Sequence, residues 1–204
     1  ALRARALVAL GTIVYPMGGA KRCETLSEQA LAIYRTLGDR HGQAIALNAL
    51  AASYHSQQWY DDARRAFGQA LPIWRAVGLE EAAVRTLANL ASVALDAGDV
   101  DGAIALYRET RAQCDRAGDA AGAAWALNGE ARVEHLRNAP AAARPLYEEA
   151  LARFERIQDG WGAGDSLLAL GLIAGEGGQQ PAARERLSRA LAVFQKVGDT
   201  RGTL

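Results

Sequence analysis

An all-α solenoid of about five antiparallel helix pairs is the fold class that this 204-residue sequence predicts. Three observations predict it. Residues of one chemical kind recur every forty positions without insertion. Each forty-residue unit carries two apolar stripes at helical spacing, and none of it shows the alternation of a strand. Turn-forming residues separate the stripes.

Four columns share the forty-residue register. Gly38, Gly78, Gly118, Gln158 and Gly198 precede new leucine-rich runs, and Gly42, Ala82, Gly122, Gly162 and Gly202 form a column of tiny residues. Ala30, Ala70, Thr110, Ala150 and Ala190 make a third column. Tyr34, Trp74, Cys114, Phe154 and Phe194 make a fourth, mostly aromatic.

Within a unit, Leu47, Leu50, Ala51 and Tyr54 lie on one helical face, and Ala63, Phe67, Ala70 and Trp74 lie on another. At roughly seventeen residues each, such helices are about 25 Å long. The glycines of the first column stand where a left-handed residue ends a helix, and Asp39, Asp119 and Asp199 follow as candidate N-caps. Gly98-Asp99, Asn138-Ala139-Pro140 and Gly177-Gly178 mark turns in mid-unit. Pro140 and Pro181 suit a first helical turn, whereas Pro72 and Pro145 fall deeper and predict a local bend. The units are then approximately 1–38, 39–78, 79–118, 119–158 and 159–198, in a single solenoid domain. Residues 199–204 read as the start of a truncated sixth unit, so the chain is expected to be a piece of a longer protein with neighbouring domains.

Composition narrows the function. Basic and acidic residues number 23 each, so the segment has no electrostatic grip on phosphates and no nucleic-acid partner is expected. No apolar run reaches eighteen residues, which argues against a membrane span. The N-terminal arginines and apolar stretch fit a helix of the first unit better than a signal peptide. Cys23 and Cys114 read as buried packing residues of a reducing, cytoplasmic compartment. His41 and His55 of one unit and His135 of another show no metal-ligand spacing, so no metal or other cofactor is expected. "GWGAG" at 160–164 lacks a preceding strand, and His55 beside Ser53 or Ser56 lacks an acid partner. Neither supports a nucleotide loop or a catalytic triad, and the expectation is a non-enzymatic protein.

Leu47-x2-Leu50-Ala51-x2-Tyr54 followed by Ala63-x3-Phe67-x2-Ala70 resembles the tetratricopeptide repeat, and the resemblance spans essentially the whole chain. The pattern returns at Leu87, Leu90, Ala91 and Tyr107, at Leu127, Ala131 and Tyr147, and at Leu167, Leu170, Gly171 and Leu187. Glu130 and Glu134 stand where the pattern has Leu and Tyr, a departure expected to disturb packing there. The forty-residue period with "GDxxG" joints is similar to the repeats of bacterial multidomain signal-transduction ATPases and LuxR-type regulators. It is also similar to the repeats of eukaryotic spindle-orientation adaptors; the Arg/Ala bias favours the bacterial group. The resemblance implies a right-handed superhelix whose first helices line a concave groove.

It also implies which positions face that groove: the second, fifth, sixth, ninth and twelfth of each unit, counted from Ala4, Ala44, Val84, Ala124 and Gly164. Among them are Asn48, His55, Arg85, Asn89, Ser92, Trp125, Asn128, Arg132 and His135, with Arg5, Thr12, Tyr15 and Asp165 completing the face. Amides can pair with an extended backbone, Arg can fork a carboxylate, and Trp adds a flat apolar contact. The face suits a protein or peptide segment or a small polar ligand, as in the sensor or interaction region of a larger bacterial regulator. The same residues also read as plain solvated helix faces. A structural or oligomerisation spacer, or an adaptor-like peptide binder, are the alternative functions. The Lys and Asn of chaperone-tail carboxylate clamps are missing from their positions, so that partner is not expected.

Overall fold

The computed structural model describes residues 1–201. Ten α-helices follow one another: α1 (Leu2–Val14), α2 (Ala20–Thr36), α3 (Arg40–Ser56), α4 (Tyr60–Ala76), α5 (Glu80–Asp96), α6 (Val100–Ala117), α7 (Ala120–Leu136), α8 (Pro140–Ile157), α9 (Gly160–Glu176) and α10 (Gln180–Arg201). A short 3₁₀ turn, Tyr15–Met17, joins α1 to α2, and no strand occurs among the described residues. The helices form two compact units, Ala1–Leu106 and one beginning at Tyr107. In the first, α1 packs on α2, α2 on α3, α3 on α4 and α4 on α5; in the second, α7 packs on α8, α8 on α9 and α9 on α10. The tetratricopeptide-type all-α solenoid expected from the sequence is the architecture observed.

The joints are more regular than the sequence columns suggest. Left-handed backbone occurs at 18, 38, 58, 78, 98, 118, 138, 158 and 178, one residue in every twenty. Six of these are glycine; Gln58, Asn138 and Gln158 fill the others. Each left-handed residue stops a helix after about five turns and reverses the chain. Asp39 accepts a hydrogen bond from the Gly42 amide at 2.8 Å and Asp119 from that of Gly122 at 2.9 Å, as the sequence predicts. Asp159 caps α9 in the same way through Gly162, at 3.0 Å, and Asp99 bonds the Gly102 amide at 3.0 Å.

The last joint is a correction. Gly198 and Asp199 lie inside α10, which continues to Arg201, instead of ending one helix and capping the next. Glycine adopts either hand of backbone, so its presence permits a turn without forcing one. What holds the earlier joints is the following helix packed on the preceding pair. Gly202, the last of the tiny-residue column, lies outside the described residues.

Packing explains the columns. Ala30, Ala70, Thr110, Ala150 and Ala190 are all buried, and so are Tyr34, Trp74, Cys114 and Phe154. The tiny residues receive the large ones. A methyl group added at Gly42 would overlap the Tyr34 ring, one at Gly162 the Phe154 ring, and one at Gly122 the Cys114 sulfur. The end of each second helix is thus pressed against the first turn of the next unit. Both cysteines are free and buried, as expected; burial, with help from Asp119, pushes the Cys114 thiol up to about 11. Pro140 and Pro181 occupy first turns, and α4 and α8 run unbroken past Pro72 and Pro145.

The expected disturbance at Glu130 does not occur: α7 runs unbroken from Ala120 to Leu136. Glu130 is only 2% exposed, yet its charge is matched. Arg111 donates to both carboxylate oxygens, Nε to Oε1 at 2.5 Å and Nη2 to Oε2 at 3.3 Å. Arg108 lies 3.7 Å from Glu130 and 3.9 Å from Glu134, which also pairs with Arg137 at 3.4 Å. An ion-pair fork therefore fills the space that leucine takes in the repeat pattern.

Two outcomes test this packing. Gly42→Ala should lower unfolding free energy by about 1–3 kcal/mol, because the Tyr34 ring has nowhere to move. Gly68→Ala, inside α4 with open space beside it, should instead raise it by about 0.5–1 kcal/mol. Denaturant titration of both variants decides the sign. Separately, Arg111→Ala should cost about 1–3 kcal/mol, because the buried carboxylate loses both hydrogen bonds and keeps only the more distant Arg108, whereas the double replacement Arg111→Met with Glu130→Leu should be close to neutral. Equal losses in those two proteins would contradict the matched-charge account.

Candidate functional site

The residues expected to face the groove sit on α3 and α5 of the first unit and on α7 and α9 of the second. Most of them are already engaged. Asn48 Nδ2 donates to Thr86 Oγ1 at 2.9 Å, tying α3 to α5, and Thr86 is fully buried. Its counterpart Asn128, 4% exposed, donates to Ser166 Oγ and Asp165 Oδ2, each at 3.1 Å, tying α7 to α9. His55 Nε2 stands 2.8 Å from Asp96 Oδ2, and His135 Nε2 stands 3.0 Å from Glu176 Oε2. Two bonds of the second unit repeat bonds of the first eighty residues later: 48 and 86 become 128 and 166, and 55 and 96 become 135 and 176.

These bonds have a physical cause. A first helix lies against the next first helix, so an amide or imidazole at the fifth or twelfth position faces that neighbour before it faces water. A buried amide left unpaired costs about 1–3 kcal/mol, and a hydroxyl or carboxylate on the neighbouring helix satisfies it. Trp125 behaves similarly while remaining 44% exposed. Its Nε1 donates to Asp159 Oδ2 at 3.0 Å, and its ring meets Phe154 edge-on with centroids 4.9 Å apart.

The remaining expected residues present themselves differently. Arg85 is well exposed and stands 4.0 Å from Glu81, a contact too long to hold it. Asn89 is half-buried; Ser92 turns its hydroxyl back to the Ala88 carbonyl at 3.3 Å. Arg132 is exposed beside the buried Tyr147, whose phenol is pushed up by burial and by Asp165 and drawn down by Arg132. Of the wider face, Tyr15 donates to the Ala52 carbonyl at 3.3 Å and Thr12 to its own helix.

Sequence reasoning on polar residues passed over two positions that the structure exposes. Leu168 and Leu172 are 39% and 49% exposed, one turn apart on α9, on the face that carries Asp165. The spacing rule itself marks them, as the fifth and ninth positions from Gly164. The second unit therefore offers an amphiphilic face of Trp125, Arg132, Asp165, Leu168 and Leu172. Among the described residues no group of three or more His, Cys, Asp or Glu is placed to hold a metal ion, and no helix is long and apolar enough to cross a membrane.

The Tetratricopeptide repeat family profile matches residues 2–76 and again 82–156. The chain belongs to the tetratricopeptide-repeat family. The two matches are offset by eighty residues, the same interval that relates the bonded pairs of the two units. No curated protein sequence matches the chain. Solved structures with the same fold include BtubC from P. vanneervenii, 21% identical over 94% of this chain and 80% of that one, with a TM-score of 0.78. The Rap conjugation gene regulator of the plasmid pLS20, in complex with the Phr* peptide, is 13% identical over 95% of this chain, with a TM-score of 0.81. A signal transduction ATPase with numerous domains from Pyrococcus horikoshii, which carries a tetratricopeptide repeat sensor, is 16% identical over 96%, with a TM-score of 0.78. The chain spans 53% of the length of the Rap regulator and 34% of the ATPase. At these identities the likeness is one of fold.

In such a repeat the bonded amides are load-carrying and the half-buried ones are not. Asn128→Ala should lower stability by about 1–3 kcal/mol, because Ser166 loses its partner inside the α7–α9 contact. Asn89→Ala should stay within about 0.5 kcal/mol of the parent. Thermal unfolding of the two variants side by side gives the comparison, and equal values would show that the α7–α9 bonds do not stabilise the repeat.

Proposed function

We propose that the chain is a recognition module without enzymatic activity, binding an extended protein or peptide segment on the exposed face of its first helices. The observation that carries this reading is the face formed by Trp125, Arg132, Asp165, Leu168 and Leu172. Apolar and charged side chains stand there together on packed helices. An extended peptide can bury apolar side chains on Leu168, Leu172 and Trp125 while Arg132 and Asp165 pair with its charged groups. Such a face is held by the bonds behind it, so little ordering is lost on binding. The peptide complex of the Rap regulator and the sensor of the Pyrococcus ATPase are instances of this fold in recognition roles, and they support placing this chain in a larger regulatory protein, which the Arg/Ala bias suggests is bacterial.

The roles of the expected groove residues divide accordingly. Arg85, Asn89 and Ser92 belong to the contact surface of the first unit, and Trp125 and Arg132 to that of the second. Asn48, His55, Asn128 and His135 hold the helices that present it.

Peptides selected on the chain from a random displayed library provide the test. Their affinity should fall at least about tenfold in a variant carrying Arg132→Ala, Leu168→Ala and Leu172→Ala, if these side chains include anchors of the interface. Unchanged affinity in a folded variant removes the groove assignment. Concentration-dependent dimerisation with no peptide binding would favour a spacer or oligomerisation role instead.

A further inference from the structure

A cleft of about 460 Å³ opens in the first unit among His41, Ile45, Trp74, Leu79, Glu81 and Arg85. Its volume lies within the range of small-ligand sites. Trp74 is 4% exposed, and its indole Nε1 is a buried polar atom without a hydrogen-bond partner.

The second unit shows what belongs in that space. Eighty residues on from Ile45, Trp74, Leu79 and Arg85 stand Trp125, Phe154, Asp159 and Asp165. There the Trp125 ring lies edge-on to Phe154 with centroids 4.9 Å apart, and its Nε1 donates to Asp159 at 3.0 Å. In the first unit the aromatic floor is kept as Trp74, but the indole is replaced by Ile45, and the ring that meets Trp74 edge-on is the smaller His41, with centroids 5.5 Å apart. The capping aspartate is replaced by Leu79, and α5 accordingly begins without a side-chain cap. Isoleucine and imidazole together are less bulky than the indole, and the cleft lies between them, Trp74 and Leu79.

We infer that this cleft is the seat of an aromatic side chain of a peptide bound on the first helices of the first unit, at the position that Trp125 occupies in the other unit. This deepens the peptide-binding reading and rests on it. Leu79 and Ile45 supply apolar walls for the ring, and Trp74 with the His41 ring edge-on to it supplies an aromatic floor. Arg85, exposed and only loosely near Glu81, is placed to hold a carboxylate on the same peptide. The preferred partner segment is therefore an aromatic residue close to an acidic one or to a free C-terminus. In the second unit Trp125 meets Phe154 and the Arg85 counterpart is Asp165; the cleft there, about 560 Å³ among Phe154, Asp159, Leu167, Arg189 and Val193, is not lined by Trp125.

The test uses the chain labelled with ¹⁵N and follows the indole resonances of its four tryptophans, with that of Trp74 assigned through Trp74→Phe. The probes are N-acetyl-tryptophanamide and N-acetyl-leucinamide. The aromatic amide should shift the Trp74 resonance saturably and leave Trp125 in place, while the leucine amide should not. Ile45→Trp, which rebuilds the filled arrangement, should weaken the aromatic amide at least about tenfold. Ile45→Phe serves as a smaller plug should the larger one not fold. Combined with Leu79→Asp, Ile45→Trp should also raise the melting temperature. No shift, an equal shift with the leucine amide, or binding that survives a folded plug overturns the inference.

Library-selected peptides separate this failure from failure of the groove. Peptides that bind without an aromatic residue, and equally well to the plugged variant, overturn the cleft and leave the groove. An aromatic amide that binds at Trp74 when no peptide does overturns the groove and leaves the ring site.

Discussion

The close approach between the end of each second helix and the first turn of the next unit is the constraint on which this fold depends. Tyr34 against Gly42 and Phe154 against Gly162 leave no room for even one methyl group, and Cys114 meets Gly122 as closely. Where the second-helix residue is Trp74, its counterpart Ala82 sits in the same apolar cluster. Interiors packed to this density do not tolerate an inserted residue, because it would rotate every following side chain off its partner. That is why nine left-handed residues fall at intervals of twenty, and why the forty-residue columns run without a break.

A stack so built needs few polar groups in its seams, and among the described residues the buried side-chain ones are paired except the Trp74 indole. The amides and imidazoles at 48, 55, 128 and 135 link neighbouring first helices, and Glu130 is held in the fork of Arg111. Such bonds add little net stability but would be costly to leave half made. They also recur at eighty residues, not forty. Each compact unit contains one set, so the structural repeat of polar chemistry is a double unit laid over the single unit of apolar packing. The contrast between the two sets then becomes informative: a position filled by Trp125 in one unit carries Ile45 in the other, where the smaller His41 ring meets Trp74.

Recognition is assigned to what this bonding leaves exposed. Polar residues on a first helix were good candidates for the surface, yet several turn sideways to the next helix, and the apolar Leu168 and Leu172 stand in the open. Residue type alone mis-sorts these, since a hydroxyl or carboxylate within reach on a neighbouring helix decides whether an amide is buried or available. Thr86 and Ser166 make that decision from nearly forty residues away.

The sequence by itself determined the number and kind of helices, the forty-residue register, the caps at Asp39 and Asp119 and the buried columns. All of these follow from periodicity and from local backbone chemistry, which act over one or two turns. Only the tertiary structure decided that Glu130 is accommodated, because its partners Arg108 and Arg111 come from another helix. It alone decided that the helix runs through Gly198, since glycine allows a turn but only packing imposes one. And it alone separated the residues that hold the first helices from those that face outward, because that choice depends on what the adjacent helix presents at three ångströms.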